Sequence, residues 1–516
     1  MRPIISIATV YLFLQASGGS AQSQVFYQQL PTGKYAVGFT IITLTDDTRI
    51  EKPEYNYLGE KNEGDRRKKV TIHLWYPAQA GTGSKGILYQ DYCYNNQISS
   101  TKENLDTKEK QERLADKRRT IENWFGKVTD SIWTNLLNQQ MLAVADASPL
   151  KQQFPLLVGM LRSLSTSLTN EMLASNGYVV AMVRETGQGS LATSGSDNLT
   201  DMRFAMTFLL NKGMIDGNRI GTFGFSGSGF AQVLLAMNDY RIKAVADIES
   251  GIYMDRLYQS LAASNFYQPA NLSVPFLHIF SKDLSKQEIF LSDFENKTKF
   301  TTRYRLLLNQ PALHHWDFAV EGYASCLFLN NRGDANQNIR RSFEISNLYL
   351  LNFFNAVLKD DAKAKTFMET KPTINNTSSA LWDIYTFERS KRAPDVTEFE
   401  YIIRNKGINE AIAIAEKTLP GDTLSNINVG FTLNNLGYKF LNEKKYDYAI
   451  AIFKLNSKMH PEDPNLMDSL AEGYEVSGDK ANMKKVSQWV FDMLNTKSSP
   501  TDFEKSLKDN AMKRLK

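Results

Sequence analysis

Cysteine is nearly absent from this chain, with two in 516 residues, Cys93 and Cys326. A lone pair makes no disulfide framework in a chain of this size, and no metal site can be argued from it. Both thiols are expected to be free and buried. Histidine is also scarce, at five, so a catalytic base can be sought by elimination. Past the N-terminus no run reaches the roughly 18 apolar residues a membrane helix needs. Neither charge sign dominates: 60 Lys and Arg stand against 56 Asp and Glu, a net of +4. The basic runs Arg66-Arg67-Lys68-Lys69 and Lys117-Arg118-Arg119 sit among acidic residues. They read as solvated surface, and no nucleic-acid partner follows.

A chain of 516 residues with 42% hydrophobic and 22% charged residues is globular and too long for one ordinary domain. Residues 1–21 read as a secretory signal peptide. Arg2 supplies the positive end, Ile4 to Leu14 a short apolar core, and Ala16 to Ala21 a small-residue stretch with cleavage expected after Ala21. No cysteine lies near that cut, so no lipid anchor is expected. The mature protein is expected to be soluble and exported, periplasmic or secreted.

The stretch Arg219 to Met237 organises the rest. Arg219-Ile220-Gly221-Thr222-Phe223-Gly224-Phe225 reads as a buried strand, and Phe230 to Met237 as a helix. Between them lies Ser226-Gly227-Ser228-Gly229. A serine at the apex of a sharp strand-to-helix turn is the nucleophile-elbow arrangement. The helix N-terminus behind such a serine favours negative charge. The five-residue pattern ends in Ser228 where glycine is usual, with Gly229 one residue later. The bland alternative is a glycine-rich turn without chemistry, or a phosphate-cradling loop.

Tyr35 to Thr45 and Val70 to Tyr76 read as opening strands. Residues 97–150 read as a helical insertion, with Phe125, Val128, Ile132, Trp133, Leu136 and Leu137 at helical spacing. Phe125, Trp133 and Tyr94 could line an apolar pocket there. From Phe154 onward apolar strands alternate with helices, which argues a parallel sheet covered on both faces. A helix over Ile339 to Leu358 closes this domain, which spans 22–369. The polar segment 370–395 reads as a linker. Residues 396–516 read as an all-α repeat domain: Leu436-Gly437, Phe440, Ala449, Phe453 and Pro461 fit a tetratricopeptide helix pair. Leu470-Ala471 and Tyr474 repeat it 34 residues on, and 397–418 read as one more, divergent pair. So few repeats suggest a docking or capping module with a possible protein partner.

A serine nucleophile needs a base, and the base an orienting acid. His73 precedes the main sheet, His278 sits inside an apolar strand and His460 in the repeats. His314 and His315 remain, directly after the last strand, where the order Ser, acid, His places the base. Candidate acids are Glu249, at the exit of the strand Ile242 to Ile248, and Asp283, after the next strand. Asp247 shares a strand face with Glu249 and is not excluded by parity. The oxyanion donors should be the N–H of Gly227 and one from the loop after Pro155 to Met160, near Leu161 and Arg162.

Over residues 33–356 the chain resembles the α/β-hydrolase superfamily. It is similar to the branch of platelet-activating-factor acetylhydrolases and dienelactone-hydrolase-like esterases. The resemblance rests on Gly33-Lys34-Tyr35-Ala36-Val37-Gly38, Leu74-Trp75-Tyr76-Pro77, Leu173-Ala174-Ser175-Asn176-Gly177-Tyr178, the elbow, and His315-Trp316-Asp317-Phe318. It implies a mostly parallel sheet with helices on both faces, and hydrolysis of a small ester through an acyl-serine, without metal or organic cofactor. The acetylhydrolase His-x-x-Phe pattern favours His315 over His314. Its acid falls near the position of Glu249, though that family uses Asp, and the dienelactone-like layout would use Asp283. The His-Gly pair often found after the oxyanion strand is missing here.

Overall fold

The computed structural model describes residues 25–81, 86–94, 106–186, 191–250, 252, 255–281, 294, 298, 302–310, 312–369, 383–388, 394–419, 427 and 429–516. The signal-peptide segment 1–21 therefore lies outside the described residues, as does Asp283. The chain divides into two compact units, Met1–Thr298 with Arg303–Glu388, and Arg389–Lys516 with Lys299–Thr302.

In the first unit, strands β1 (Ala36–Ile50) and β2 (Arg67–Ala78) pair antiparallel, from Ala36 opposite Ala78 to Asp46 opposite Lys68. β3 (Gly86–Leu88) and α1 (Tyr89–Tyr94) follow. Next come α2 (Thr107–Phe125), opened by an Asp106–Glu109 capping box, and α3 (Asp130–Leu137), capped by Thr129. β4 (Gln140–Ala145) then runs beside β1. The insertion expected to be helical thus ends in a strand. Met141 and Ala143 are buried while their neighbours are less so, a two-residue period too short to stand out between helices.

Strands and helices alternate from here to β9: β5 (Phe154–Leu161), α4 (Ser167–Ser175), β6 (Val179–Arg184), α5 (Leu191–Leu210), β7 (Ile215–Phe225), α6 (Gly229–Asn238), β8 (Ile242–Ile248), α7 (Asp255–Ala262) and β9 (Phe276–Ser281), and β10 (Arg303–Leu308) follows. α8 (Val320–Ala324), α9 (Ala335–Leu358), α10 (Ala362–Glu369) and β11 (Asp383–Glu388) complete the unit. Among the described residues one sheet carries all the strands, in the order β11-β10-β9-β8-β7-β5-β6-β2-β1-β4-β3. The run from β10 to β6 is parallel throughout. β11 pairs antiparallel with β10. Residues 383–388 are therefore the sheet's edge strand, where the sequence suggests linker.

Alternation along the strands divides the core. Leu156, Val158 and Met160 pack with α5 and α6 on one face. Leu157 and Leu161 pack with α4 and α9 on the other. This is the α/β-hydrolase arrangement, a mostly parallel sheet wrapped by helices. It brings the carboxyl ends of β5, β7 and β8 to one edge.

Among its described residues the second unit is all-helical: α11 (Val396–Lys406), α12 (Ile408–Thr418), α13 (Gly430–Asn442), α14 (Tyr446–Met459), α15 (Pro464–Ser477), α16 (Lys480–Asn495) and α17 (Asp502–Leu515). Helices begin at 396, 430 and 464, and again at 446 and 480, in steps of 34 residues. Phe399, Leu436, Phe440, Phe453, Leu470 and Tyr474 share its core. Among the described residues no helix is long and apolar enough to cross a membrane.

Candidate active site

β7 ends at Phe225 and the chain turns at Ser226 through a single helical turn into α6. Ser226 has φ +57°, a left-handed conformation that costs a non-glycine residue of order 1–3 kcal/mol and recurs where function demands it. Two glycines make the bend possible. A Cβ on Gly224 would meet the backbone of Ser228 at 2.9 Å and that of Gly229 at 3.0 Å. A Cβ on Gly229 would lie 2.4 Å from the Cβ of Ser250. The glycine the close packing needs is therefore 229, which explains why Ser228 is tolerated at the fifth position.

Ser226 Oγ lies 2.8 Å from Nε2 of His315. His315 is held by stacking on Phe225, with centroids 5.0 Å apart, and Phe225 in turn packs on Trp316. Behind the ring, Nδ1 of His315 is 3.9 Å from Oε1 of Glu249. That exceeds hydrogen-bond length, a common slackness before substrate tightens a site. Glu249 is buried and also left-handed, at φ +48°. The backbone N–H and hydroxyl of Ser281, at the end of β9, donate to its two oxygens at 2.6 and 2.7 Å. Three elements far apart in sequence thus meet at one edge of the sheet.

The neighbouring candidates are otherwise engaged. Asp247 accepts from the Ser250 hydroxyl at 2.6 Å and sits 2.9 Å from Nδ1 of His278, so both belong to a buried network. His278 is the core histidine its apolar strand suggests. His314 is exposed, and its backbone N–H donates to Asp317. His73 is buried, and burial together with the charge of Arg184 pushes its imidazole down to about 3, so it stays neutral. Cys93 and Cys326 are free and buried, and burial raises both thiols, to about 12 and about 11. No cluster of His, Cys, Asp and Glu that could hold a metal occurs among the described residues.

Gly227 is the second residue of the Ser226–Ser228 turn, where backbone N–H groups have no intrahelical acceptor. Leu161, the last residue of β5, is buried, and its carbonyl accepts the N–H of Glu185 at 2.9 Å. Arg162 extends outward beside it, its Nε donating to Glu185 at 2.6 Å.

Phe125 and Trp133 are core residues of the insertion, and Tyr94 is half-buried. Trp124, 58% exposed, lies 6.0 Å from Trp316, which itself packs against Phe225 and His315. Lys117, read from the sequence as solvated surface, is buried against Glu321. Helical spacing puts Lys117 on the Ile121 and Phe125 face, and that spacing is the sequence's sign of its burial. A separate cavity of about 420 Å³ lies at the β1–β3–β4 end, lined by Phe39, Ile41, Ile87 and Asp91; it contains none of these site residues.

Residues 64–293 match the family model of the X-Pro dipeptidyl-peptidases (S15 family). Among solved structures, a ferulic acid esterase from Streptomyces cinnamoneus is similar at 19% identity and a TM-score of 0.45, over 70% of this chain and 98% of that chain. No curated protein matches.

Proposed function

We propose that this chain is an exported serine hydrolase that cleaves a small carboxylic ester through an acyl-serine intermediate. One observation carries the reading: the left-handed Ser226 stands 2.8 Å from His315, with buried Glu249 behind the ring. Ser226 Oγ attacks the ester carbonyl while Nε2 of His315 takes its proton. Glu249 orients the imidazole and offsets its positive charge. The carbonyl oxygen becomes an oxyanion facing the Gly227 N–H, with a second donor from the Leu161–Arg162 loop. Collapse expels the alcohol, which receives the proton from His315. Water, deprotonated by the same imidazole, then releases the acid and restores the serine.

A second reading is favoured by the family match: an amide or peptide bond as the target on the same three residues. A third is a partner-binding shell, with the tetratricopeptide-like unit as its docking module. The test is a panel of p-nitrophenyl esters of rising acyl length beside X-Pro p-nitroanilides, with Ser226→Ala as control and a fluorophosphonate probe. Ester turnover and labelling, both lost in Ser226→Ala, are expected. Anilide turnover alone would select the peptidase reading. Labelling unchanged by Ser226→Ala would overturn all catalysis through this serine.

A further inference from the structure

The second oxyanion donor is the part of the site that the residues name least clearly, and the Arg162 side chain lies beside Gly227. Arg162 follows β5 directly, and Glu185 follows β6. Their ion pair is asymmetric: Arg162 is 62% exposed and Glu185 15%. Glu185 is further tied down by its N–H on the Leu161 carbonyl. The carboxylate is thus the anchor, and the guanidinium is what it holds. With Nε spent on Glu185, Nη1 lies 3.4 Å from the point a Cβ on Gly227 would occupy. The cation therefore rests against the residue that follows the nucleophile.

We propose that the Arg162 guanidinium donates directly to the oxyanion, held in place by Glu185 as a positioning residue. This rests on Ser226 being an acyl-accepting nucleophile. Arginine carries five donors in a rigid fork and never loses its charge. As Ser226 Oγ bonds to the carbonyl carbon, the π electrons move onto oxygen and the hydroxyl proton passes to His315. Arg162 neither gains nor loses a proton; it faces the charge that appears only then. A permanent cation compensates for the backbone donors that a His-Gly loop would supply.

The experiment uses the full chain with Arg162→Met, Arg162→Lys and Glu185→Gln. Substrates are neutral p-nitrophenyl acetate and anionic p-nitrophenyl hemisuccinate, and the rate of fluorophosphonate labelling at Ser226 is followed alongside. In Arg162→Met kcat is expected to fall about 100-fold on both esters with little change in KM, the usual loss for one oxyanion donor. Labelling should slow in parallel, Arg162→Lys should recover part, and added ethylguanidinium should restore turnover to Arg162→Met. Glu185→Gln should lower kcat less, with Tm unchanged. Unaltered kcat and labelling in Arg162→Met would overturn the proposal, as would a loss confined to KM for the hemisuccinate, which would make Arg162 a carboxylate-binding group. A wild-type chain that is neither labelled nor active removes the serine-hydrolase reading itself, a result distinct from an active enzyme indifferent to Arg162.

Discussion

Lys117 and Glu321 form a buried ion pair that joins the inserted helix α2 to the segment just after the His315 turn. The Ser165 hydroxyl donates to the same Glu321 oxygen at 2.9 Å, from the segment that follows Arg162. Burial pulls the Lys117 ammonium down, and the Glu321 carboxylate more than offsets it, so the lysine sits above its ordinary value. One carboxylate thus ties the insertion to the segments that follow Arg162 and His315.

Lys117→Met should therefore destabilise the first unit by roughly 3–5 kcal/mol, because it leaves a carboxylate buried without its partner. Lys117→Met with Glu321→Gln should recover most of that loss, since two neutral groups carry no uncompensated charge. Denaturant unfolding followed by intrinsic fluorescence measures it. A single-variant cost below about 1 kcal/mol would show that the pair does not hold these loops.

Glu249 is held by Ser281 and only approached by His315. Glu249→Gln should lower kcat by roughly 10³–10⁴-fold, the scale seen when an orienting carboxylate loses its charge. Ser281→Ala removes one of the two bonds to Glu249 and leaves the backbone N–H, so a loss of about tenfold is expected, one hydrogen bond's worth. Steady-state kinetics on an ester checks both. Equal activity of Glu249→Gln and wild type would remove Glu249 from the site.

A buried carboxylate unconnected with the site gives the fold a pH dependence. Glu171 on α4 accepts from the Tyr27 and Tyr92 hydroxyls and from the Leu142 N–H at 2.8 Å. Burial outweighs these bonds and raises its carboxyl to about 7 from 4.5. A folded value above the unfolded one means that the stabilisation is full below about 4.5 and is lost as pH rises through about 7. Between pH 5 and 8 wild type should lose roughly 2–3 kcal/mol relative to Glu171→Gln. Melting temperatures of the two proteins across that range provide the comparison, and parallel profiles would refute it.

Much of the candidate site is legible in the sequence because its constraints are local. Gly224 and Gly229 bracket Ser226 for steric reasons that show as spacing, and chain order pointed to the His314–His315 pair. Glu249 could be placed at a strand exit, but its separation from Asp247 needed the fold: only there does His278 occupy Asp247. Arg162–Glu185 and Lys117–Glu321 join residues 23 and 204 apart, and no periodicity encodes such meetings. Trp124 is not legible because it lies on the exposed face of a helix whose apolar pattern marks only the buried face, with Phe125. β11 is not legible because Asp383-Ile384-Tyr385-Thr386-Phe387-Glu388 sits inside polar sequence.

The pairing of β11 with β10 decides how the chain can be cut. A fragment ending at 369 would strip β10 of its antiparallel neighbour and lay bare a row of amide and carbonyl groups beside Leu306 and Leu308. Open edges of that kind recruit other chains and precipitate. Any attempt to express the first unit alone should therefore carry Glu388 with it.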